Sequence, residues 1–173
     1  MKRFLNIIWI VIILVAIALW VAMSWPWYIA VSLLILRVLF LLVMSAIPKL
    51  NYFLDAIHKG TKAQEHTIAL TFDDGPSIYT ETVLDVLKLY DMKATFFCIG
   101  KHIEAHPEIF KRILAEGHEV GNHTYSHSYW LGFFGKKRLR REIEMCDLVA
   151  NEHGDVSLKY YRPPFGITNP MLP

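Results

Sequence analysis

The sequence predicts an α/β domain built on a parallel sheet and preceded by one or two transmembrane helices. The first 50 residues contain 40 hydrophobic residues and no acidic one, whereas the other 123 are about 43% hydrophobic, which is ordinary for a soluble domain. Beyond residue 65, short apolar segments alternate with segments of helical periodicity. Such alternation indicates parallel strands with helical crossovers, and functional residues then lie at the carboxyl ends of the strands.

Residues 1–50 are predicted to form a membrane anchor. The ranges 4–23 and 28–47 are each 20 residues of nearly uninterrupted apolar sequence, long enough to cross a bilayer. No small-x-small cleavage site follows the first range, which favours an uncleaved anchor over a secretory signal. Arg37 would cost roughly 2.5–3.5 kcal/mol to insert, and the many Leu, Ile, Val and Phe side chains around it can offset that cost.

Two topologies stay open for this anchor. A two-span hairpin is the first interpretation, and a single span followed by a helix lying in the membrane interface is the alternative. Because basic residues flank both ends, the hairpin would place the following domain in the cytoplasm and the single span would place it outside. The expected location is therefore the cell membrane, with the side of the domain undetermined.

The rest of the chain is predicted to be a linker over residues 51–65 and then a domain of alternating strands and helices. Pro107 in the first turn of a helix and Gly117 just past its end mark the clearest boundaries. The predicted strands are residues 66–72, 94–99, 118–121 and 158–161, and the predicted helices are residues 80–90, 107–116 and 136–153. The expected buried helical faces are Val83, Val86, Leu87 and Tyr90 in the first helix, and Leu139, Ile143, Cys146 and Ala150 in the last.

Charge and cysteine content exclude several classes of protein. The chain has a formal charge of +2, but residues 51–173 carry 14 basic and 16 acidic residues, so nothing there indicates nucleic-acid binding. A polytopic transporter is excluded because the last two-thirds is too polar. Cys98 and Cys146 both fall on apolar segments, so we expect two buried free thiols.

Three polar clusters follow the predicted strands. Asp73 and Asp74 come directly after the first strand, where unpaired carboxylates would be costly and where the Gly75–Pro76 turn can direct both to one side. His123 and His127 are spaced i, i+4, which on one helical turn suits a divalent metal. Two histidines and one carboxylate leave coordination positions open, as in a catalytic site.

The third cluster, Arg162-Pro163-Pro164-Phe165-Gly166, follows the fourth predicted strand. Its two prolines stiffen the loop, its arginine can pair with a carboxylate, and its backbone N–H groups can bind an anion. Taken in order, TFDDGP (71–76), HTYSH (123–127) and RPPFG (162–166) resemble the first three motifs of the polysaccharide deacetylases of the NodB-homology type, carbohydrate esterase family four. GHEVGNH (117–123) and ATFF (94–97) resemble the connecting segments of that family.

The resemblance implies a role for each matching residue. Asp73 corresponds to the general base, Arg162 to its charged partner, and Thr124 to a position that steadies the histidine loop. The backbone N–H of Phe165 corresponds to the group that completes the oxyanion hole. The implied metal ligands are Asp74, His123 and His127. The implied cofactor is a divalent metal, Zn²⁺ in the first place, with Co²⁺, Mn²⁺ and Ni²⁺ as alternatives.

The resemblance also implies a larger fold than these residues contain. The family fold is a distorted seven-stranded (β/α) barrel, of which four strands are predicted here, over residues 66–173. Two further family motifs, one of which carries the general acid, have no counterpart before Pro173. We therefore expect the N-terminal portion of such a barrel, and no other histidine of the chain is predicted to replace the acid. His118 is predicted to be structural.

The leading hypothesis is a membrane-anchored, metal-dependent hydrolase that removes the N-acetyl group of a cell-envelope glycan. One alternative is a truncated, inactive remnant that binds metal or glycan only. Another is a non-haem iron oxygenase, which also uses two histidines and one carboxylate, although the second aspartate and the Arg-Pro-Pro loop argue against it. The aromatic and basic stretch 128–141 is interpreted as a packing loop, or as a lip that contacts sugar or anionic lipid.

Overall fold

The computed structural model of the 173-residue chain describes residues 2–23, 26–53, 55–57 and 68–172. The chain divides into two compact units, residues 1–58 and residues 59–173, and each is described by itself. Most of the predicted linker, including residues 58–65, lies outside the described residues.

The N-terminal unit consists of two apolar helices, α1 (Lys2–Met23) and α2 (Trp27–Ala46). Within the described residues, α2 alone is long and apolar enough to cross a membrane, with a mean hydropathy of 2.6, and Asn6–Val21 is a shorter apolar stretch of α1. A signal sequence near an N-terminus meets the same criterion, so membrane insertion stays a prediction.

Arg37, the one charge within α2, has its partners on both helices. Its Nη2 donates a hydrogen bond to Oδ1 of Asn6, and its guanidinium lies 5.4 Å from the ring centroid of Trp9 and 5.7 Å from that of Phe40. Asn6 and Arg37, the polar interruptions of the two apolar segments, are therefore partners, although Nη1 of Arg37 has no hydrogen-bond partner among the described residues. Hydrogen bonding and cation–π contact reduce the cost of holding this cation among apolar side chains.

The second unit is an α/β arrangement whose strands are all parallel. The sheet order is β1 (Thr71–Gly75), β2 (Thr95–Cys98) and β3 (Glu119–Asn122). The connecting helices are α3 (Ile78–Leu89), α4 (Gly100–Ala105) and α5 (Pro107–Ala115), and α6 (Lys136–Gly154) follows β3. Short 3₁₀ turns occupy Pro48–Leu50, Leu131–Phe133 and Pro164–Gly166.

The predicted fourth strand is wrong. Among the described residues the sheet has three strands, and Tyr161 forms only an isolated parallel bridge with Asn122. Pro163 and Pro164 follow almost at once and lack the N–H groups that a longer ladder would need. The first strand begins at Thr71, later than predicted. Residues 66–67 of the predicted strand lie outside the described residues. The short helix α4 was not predicted.

The core lies between the sheet and its helices. Residues at most 7% exposed form one cluster, namely Leu84, Leu87, Ala94, Phe96, Cys98, Ile103, Phe110, Ile113, Val120, Val149 and Ala150. Burying each large apolar side chain contributes about 1.5–3 kcal/mol. The predicted face of α6 is confirmed, since Leu139, Cys146 and Ala150 are fully buried. Both cysteines are free and buried, as expected.

The predicted face of α3 is only partly right. Leu87 is buried, but Val86 is 47% exposed and Tyr90 is 66% exposed. The residue that joins Leu87 in the core is Leu84, three positions earlier. Val86 instead borders a cavity of about 280 Å³ beside β1, which also includes Leu70 and Phe72. β2 pairs with one side of β1, and no strand among the described residues pairs with the other.

His118 has a structural role, as predicted. It is 6% exposed, its Nδ1 accepts a hydrogen bond from the Ala94 N–H at 3.3 Å, and its ring packs 5.4 Å from that of Phe96. Burial lowers the pKa of His118, and the nearby Lys93 charge acts in the same direction. The imidazole is therefore neutral, and it connects the residues that precede β2 and β3.

Gly100 lies where α4 meets the loop after β3. The Gly100 N–H donates to the Thr124 carbonyl at 3.0 Å, and the Lys101 N–H donates to the Tyr125 carbonyl at 3.0 Å. A Cβ at position 100 would lie 2.6 Å from Cδ2 and 3.1 Å from Cα of Tyr125. This close backbone approach requires glycine.

We predict that Gly100→Ala lowers the free energy of unfolding by about 1–3 kcal/mol, because overpacking of a filled site has that cost. Gly132→Ala is the matched control, since its Cβ would meet Ile167 Cγ2 at an ordinary 3.7 Å. Urea unfolding monitored by circular dichroism compares the two variants. Equal midpoints would contradict the role assigned to Gly100.

Candidate metal centre and active site

Asp73 and Asp74 lie on a β-bulge at the end of β1. Phe72 pairs with Phe96 and Gly75 with Cys98, so the two aspartates face a single residue of β2. Asp74 has a φ of 66°, which breaks the alternation of side chains along the strand. Both carboxylates consequently line the same cavity. The Gly75–Pro76 turn was predicted to direct both carboxylates to one side, but the break occurs earlier, within the Asp-Asp pair itself.

His123 and His127 follow β3 in a loop, so the prediction of a single helical turn is wrong. Thr124 and His127 have φ values of 66° and 50°, which bend the backbone so that the two rings converge. Nε2 of His123 is 3.3 Å and Nε2 of His127 is 3.1 Å from Oδ1 of Asp74. These three atoms lie within 4.8 Å of one another.

The hydrogen bonding of His123 prepares it as a ligand. Its Nδ1 is 2.7 Å from the carbonyl oxygen of Arg162, and because a carbonyl can only accept, Nδ1 carries the hydrogen. Nε2 is then left with its lone pair directed at Asp74. Burial lowers the pKa of His123, which favours the neutral imidazole that a metal requires. Two imidazole nitrogens and one carboxylate oxygen fit a divalent metal with open positions.

Asn122 positions both loops of the site and was missed in the sequence. Its side-chain Oδ1 accepts from the Thr124 N–H at 2.8 Å, and its backbone carbonyl accepts from the Arg162 N–H at 2.9 Å. Its Nδ2 donates to Ile143 O at 2.9 Å and to Asp147 Oδ1 at 2.8 Å, which ties the residue to α6. Burial raises the pKa of Asp147. In the sequence, the only indication of this role was the position of the asparagine directly before the first histidine.

Thr124 steadies the histidine loop from inside. It is fully buried, and its Oγ1 accepts a hydrogen bond from the His127 N–H at 3.2 Å. His102 on α4 holds the other side of the site, because its Nδ1 lies 2.8 Å from the carbonyl oxygen of Asp74. His102 was not among the predicted site residues, because α4 itself was not predicted.

Asp73 has a partner of its own, Arg162, which is not one of the three residues that converge at Asp74 Oδ1. Nη1 of Arg162 lies 2.6 Å from Oδ1 of Asp73 and 3.0 Å from Oγ1 of Thr71. The guanidinium lies over the ring of Phe97, 3.9 Å from its centroid. Arg162 is therefore fixed by a cation–π contact and two hydrogen bonds, and it holds Asp73 through a charge-assisted one.

Phe165 forms the rim of the cavity in a left-handed conformation, with φ 58°. Its half-exposed ring stacks on Tyr129 at a centroid distance of 5.0 Å and contacts His127 at 4.8 Å. The cavity measures about 450 Å³. All six residues singled out in the sequence line it, together with Pro163 and Gly166, namely Asp73, Asp74, His123, His127, Arg162 and Phe165.

Chemically, the cavity combines a candidate metal site with an independent carboxylate that a cation orients. Such a pair can activate water and hold its proton. An iron oxygenase site, which uses two histidines and one carboxylate, would not need this second carboxylate.

Comparison with known proteins identifies similar sequences and structures. A family model described as "Polysaccharide deacetylase" matches residues 60–172. A peptidoglycan-N-acetylglucosamine deacetylase of Bacillus cereus is 44% identical over 100 residues, which cover 57% of this chain and 36% of that protein. A chitooligosaccharide deacetylase of Sinorhizobium fredii is 36% identical over 121 residues, which cover 69% of this chain and 55% of that protein.

Among solved structures, a family 4 acetyl xylan esterase from Clostridium thermocellum, in complex with a cobalt ion, is 37% identical with a TM-score of 0.57, and the match covers 60% of this chain and 51% of that one. The chain thus spans between 36% and 55% of the length of these three relatives. The family model covers 113 of the 173 residues and includes all three motifs at the cavity, and the chain belongs to the polysaccharide deacetylase family.

Proposed function

We propose that this chain carries the metal-binding and water-activating part of a deacetylase that hydrolyses the N-acetyl amide of a cell-envelope glycan. The observation that carries the proposal is the meeting of Asp74, His123 and His127 with the Asp73–Arg162 pair in one cavity. Relatives named for peptidoglycan and for chitooligosaccharides support an N-acetylated glycan as substrate.

The metal proposed for Asp74, His123 and His127 is Zn²⁺, whose preferred ligands are imidazole and carboxylate. The cobalt ion of the related esterase structure supports a divalent metal of this class. A divalent metal here supplies Lewis acidity, which polarises a carbonyl group and acidifies water.

The remaining steps belong to residues of the chain. The Asp73 carboxylate takes the proton from a water whose oxygen forms the new bond to the acetyl carbon. Arg162 fixes the position of that carboxylate, and the Phe165 backbone N–H donates to the oxyanion that develops. The carbon–nitrogen bond then breaks, acetate leaves, and the glycan nitrogen takes up a proton to leave as an amine.

A second candidate function is binding of metal or glycan without turnover. It needs only the candidate metal site of Asp74, His123 and His127 and the cavity around it, and no proton transfer by Asp73.

We also propose that residues 1–50 anchor the protein in the cell membrane. The length and apolarity of α2, and the mutual partners Asn6 and Arg37 on two apolar helices, support this location.

The metal site is tested with the full chain in maltoside detergent after chelator treatment. We predict that His123→Ala weakens Co²⁺ binding by more than about 100-fold, because even residues that merely support ligands are worth 10–100-fold. His153→Ala, which removes a histidine of α6 outside the cavity, serves as the control. Calorimetry and the cobalt absorption spectrum measure the difference, and equal affinities for the two variants would contradict the assignment.

Catalysis is tested by release of acetate from an N-acetylglucosamine oligomer. We predict that Asp73→Asn lowers the rate of acetate release by about 10²–10⁴-fold, the usual contribution of a general base, and leaves the affinity for Co²⁺ unchanged. Asp155→Asn is the matched control, since Asp155 lies at the end of α6 in a left-handed conformation that asparagine tolerates. Metal binding without acetate release above the Asp73→Asn background would favour the binding-only function.

Membrane anchoring predicts that the full chain stays in the membrane pellet after alkaline carbonate extraction. The physical reason is the burial of two apolar helices, which carbonate does not reverse. A peripheral membrane protein in the same preparation should be released. Recovery of the chain in the supernatant would contradict the anchor.

A further inference from the structure

A second cavity, of about 720 Å³, lies outside the site already described, between α4 and the start of α6. It shares no lining residue with the cavity of the metal centre. Four of the side chains around it are cationic, and we refer to it as the basic pocket: Lys101, Lys137, Arg138 and Arg141, with Glu142 as its single carboxylate.

The charge of the basic pocket is not neutralised from within. Four cations and one carboxylate give a formal charge of +3. The Glu142 oxygens accept hydrogen bonds from the Ser126 N–H at 2.8 Å and from Ser126 Oγ at 2.8 and 2.9 Å. Within the part of the chain that the structure describes, none of the four cations forms an ion pair.

Among the described residues, the neighbouring carboxylates Glu104 and Glu144 form no ion pair with these four cations. Glu104 on α4 accepts from Tyr125 Oη at 3.1 Å, and Glu144 on α6 pairs with Arg140 at 3.6 Å. Two of the cations contact aromatic rings instead, since Nζ of Lys101 is 5.9 Å from the Tyr125 ring centroid and the Arg138 guanidinium is 3.8 Å from that of Phe134. These contacts orient the cations without cancelling their charge.

The start of α6 adds to this imbalance. The helix has no acidic residue in its first turn and no side-chain cap, and Lys136, Lys137 and Arg138 stand at its positive end. Helices α3 and α5 of the same unit carry Glu81 and Glu108 in their first turns, which is the favourable arrangement. An anion in the basic pocket would relieve the unfavourable charges of α6.

We propose that the basic pocket binds a phosphate group. Two guanidinium forks and two ammonium groups match the several oxygens and the double charge of phosphate better than a single carboxylate. The cavity is larger than phosphate itself, so the group belongs to a larger molecule. A phospholipid headgroup and a soluble phosphate ester share this chemistry.

The test uses the metal-free full chain in maltoside detergent and titrates inorganic phosphate, followed by calorimetry and by ³¹P line broadening. Arg141→Gln should weaken phosphate binding about ten-fold, as expected for one charge-assisted hydrogen bond. Arg140→Gln is the matched control, because it removes the same charge at the adjacent position, where Arg140 faces Glu144 and does not line the pocket. Lys137→Gln provides a second pocket variant in case Arg141→Gln fails to fold.

Saturable binding that the pocket variants weaken and the control leaves within two-fold supports the proposal. Absence of saturable binding, or an equal loss in pocket and control variants, overturns it. Repeating the titration in nanodiscs, with and without anionic phosphatidylglycerol, distinguishes the sources. Competition by the lipid in wild type but not in Arg141→Gln assigns a headgroup, and unchanged phosphate binding assigns a soluble ester. No arm depends on catalysis, so the result is independent of the proposed deacetylase function.

Discussion

The buried amide of Asn122 is the interaction on which the arrangement of the site depends. It stands at the last position of β3, where one side chain and one backbone carbonyl together reach the histidine loop, the arginine loop and α6. The histidine loop depends on such hydrogen bonds, because its backbone between residues 123 and 128 has no regular structure. A buried amide with all of its groups satisfied specifies one geometry, since any displacement leaves a polar group unpaired in the interior.

Two adjacent aspartates have different surroundings because they lie on a bulge. Asp73 faces the cation Arg162, whereas Asp74 faces the two imidazoles. In a regular strand the two carboxylates would lie on opposite faces, and one of them would be lost to the site. The positive φ of Asp74 is thus a local conformational cost that the hydrogen bond from His102 and the neighbouring ladder pairs offset.

The six cavity residues could be predicted from the sequence because their chemistry is concentrated in three short motifs at the ends of apolar segments. The alternation of apolar and periodic segments likewise gave the parallel sheet and the long helices. The fourth strand was predicted wrongly, because the residues up to Tyr161 have a sequence like that of a strand but form a single bridge. The two prolines that follow prevent a longer ladder. Asn122, His102 and the basic pocket act through contacts between distant segments, which no local pattern contains. The buried face of α3 was predicted only in part for a related reason, since β1 does not cover the side chain of Val86.

The uncovered side of β1 has a consequence for self-association. Among the described residues one edge of β1 is unpaired and lies next to an apolar cavity of about 280 Å³, and such an edge is a template on which another extended chain can add. Asp73 and Asp74 belong to that same strand, so a chain that added there would run past the carboxylates of the site. Addition of an extended chain at this edge and access of a ligand to Asp73 and Asp74 would therefore compete for the same strand.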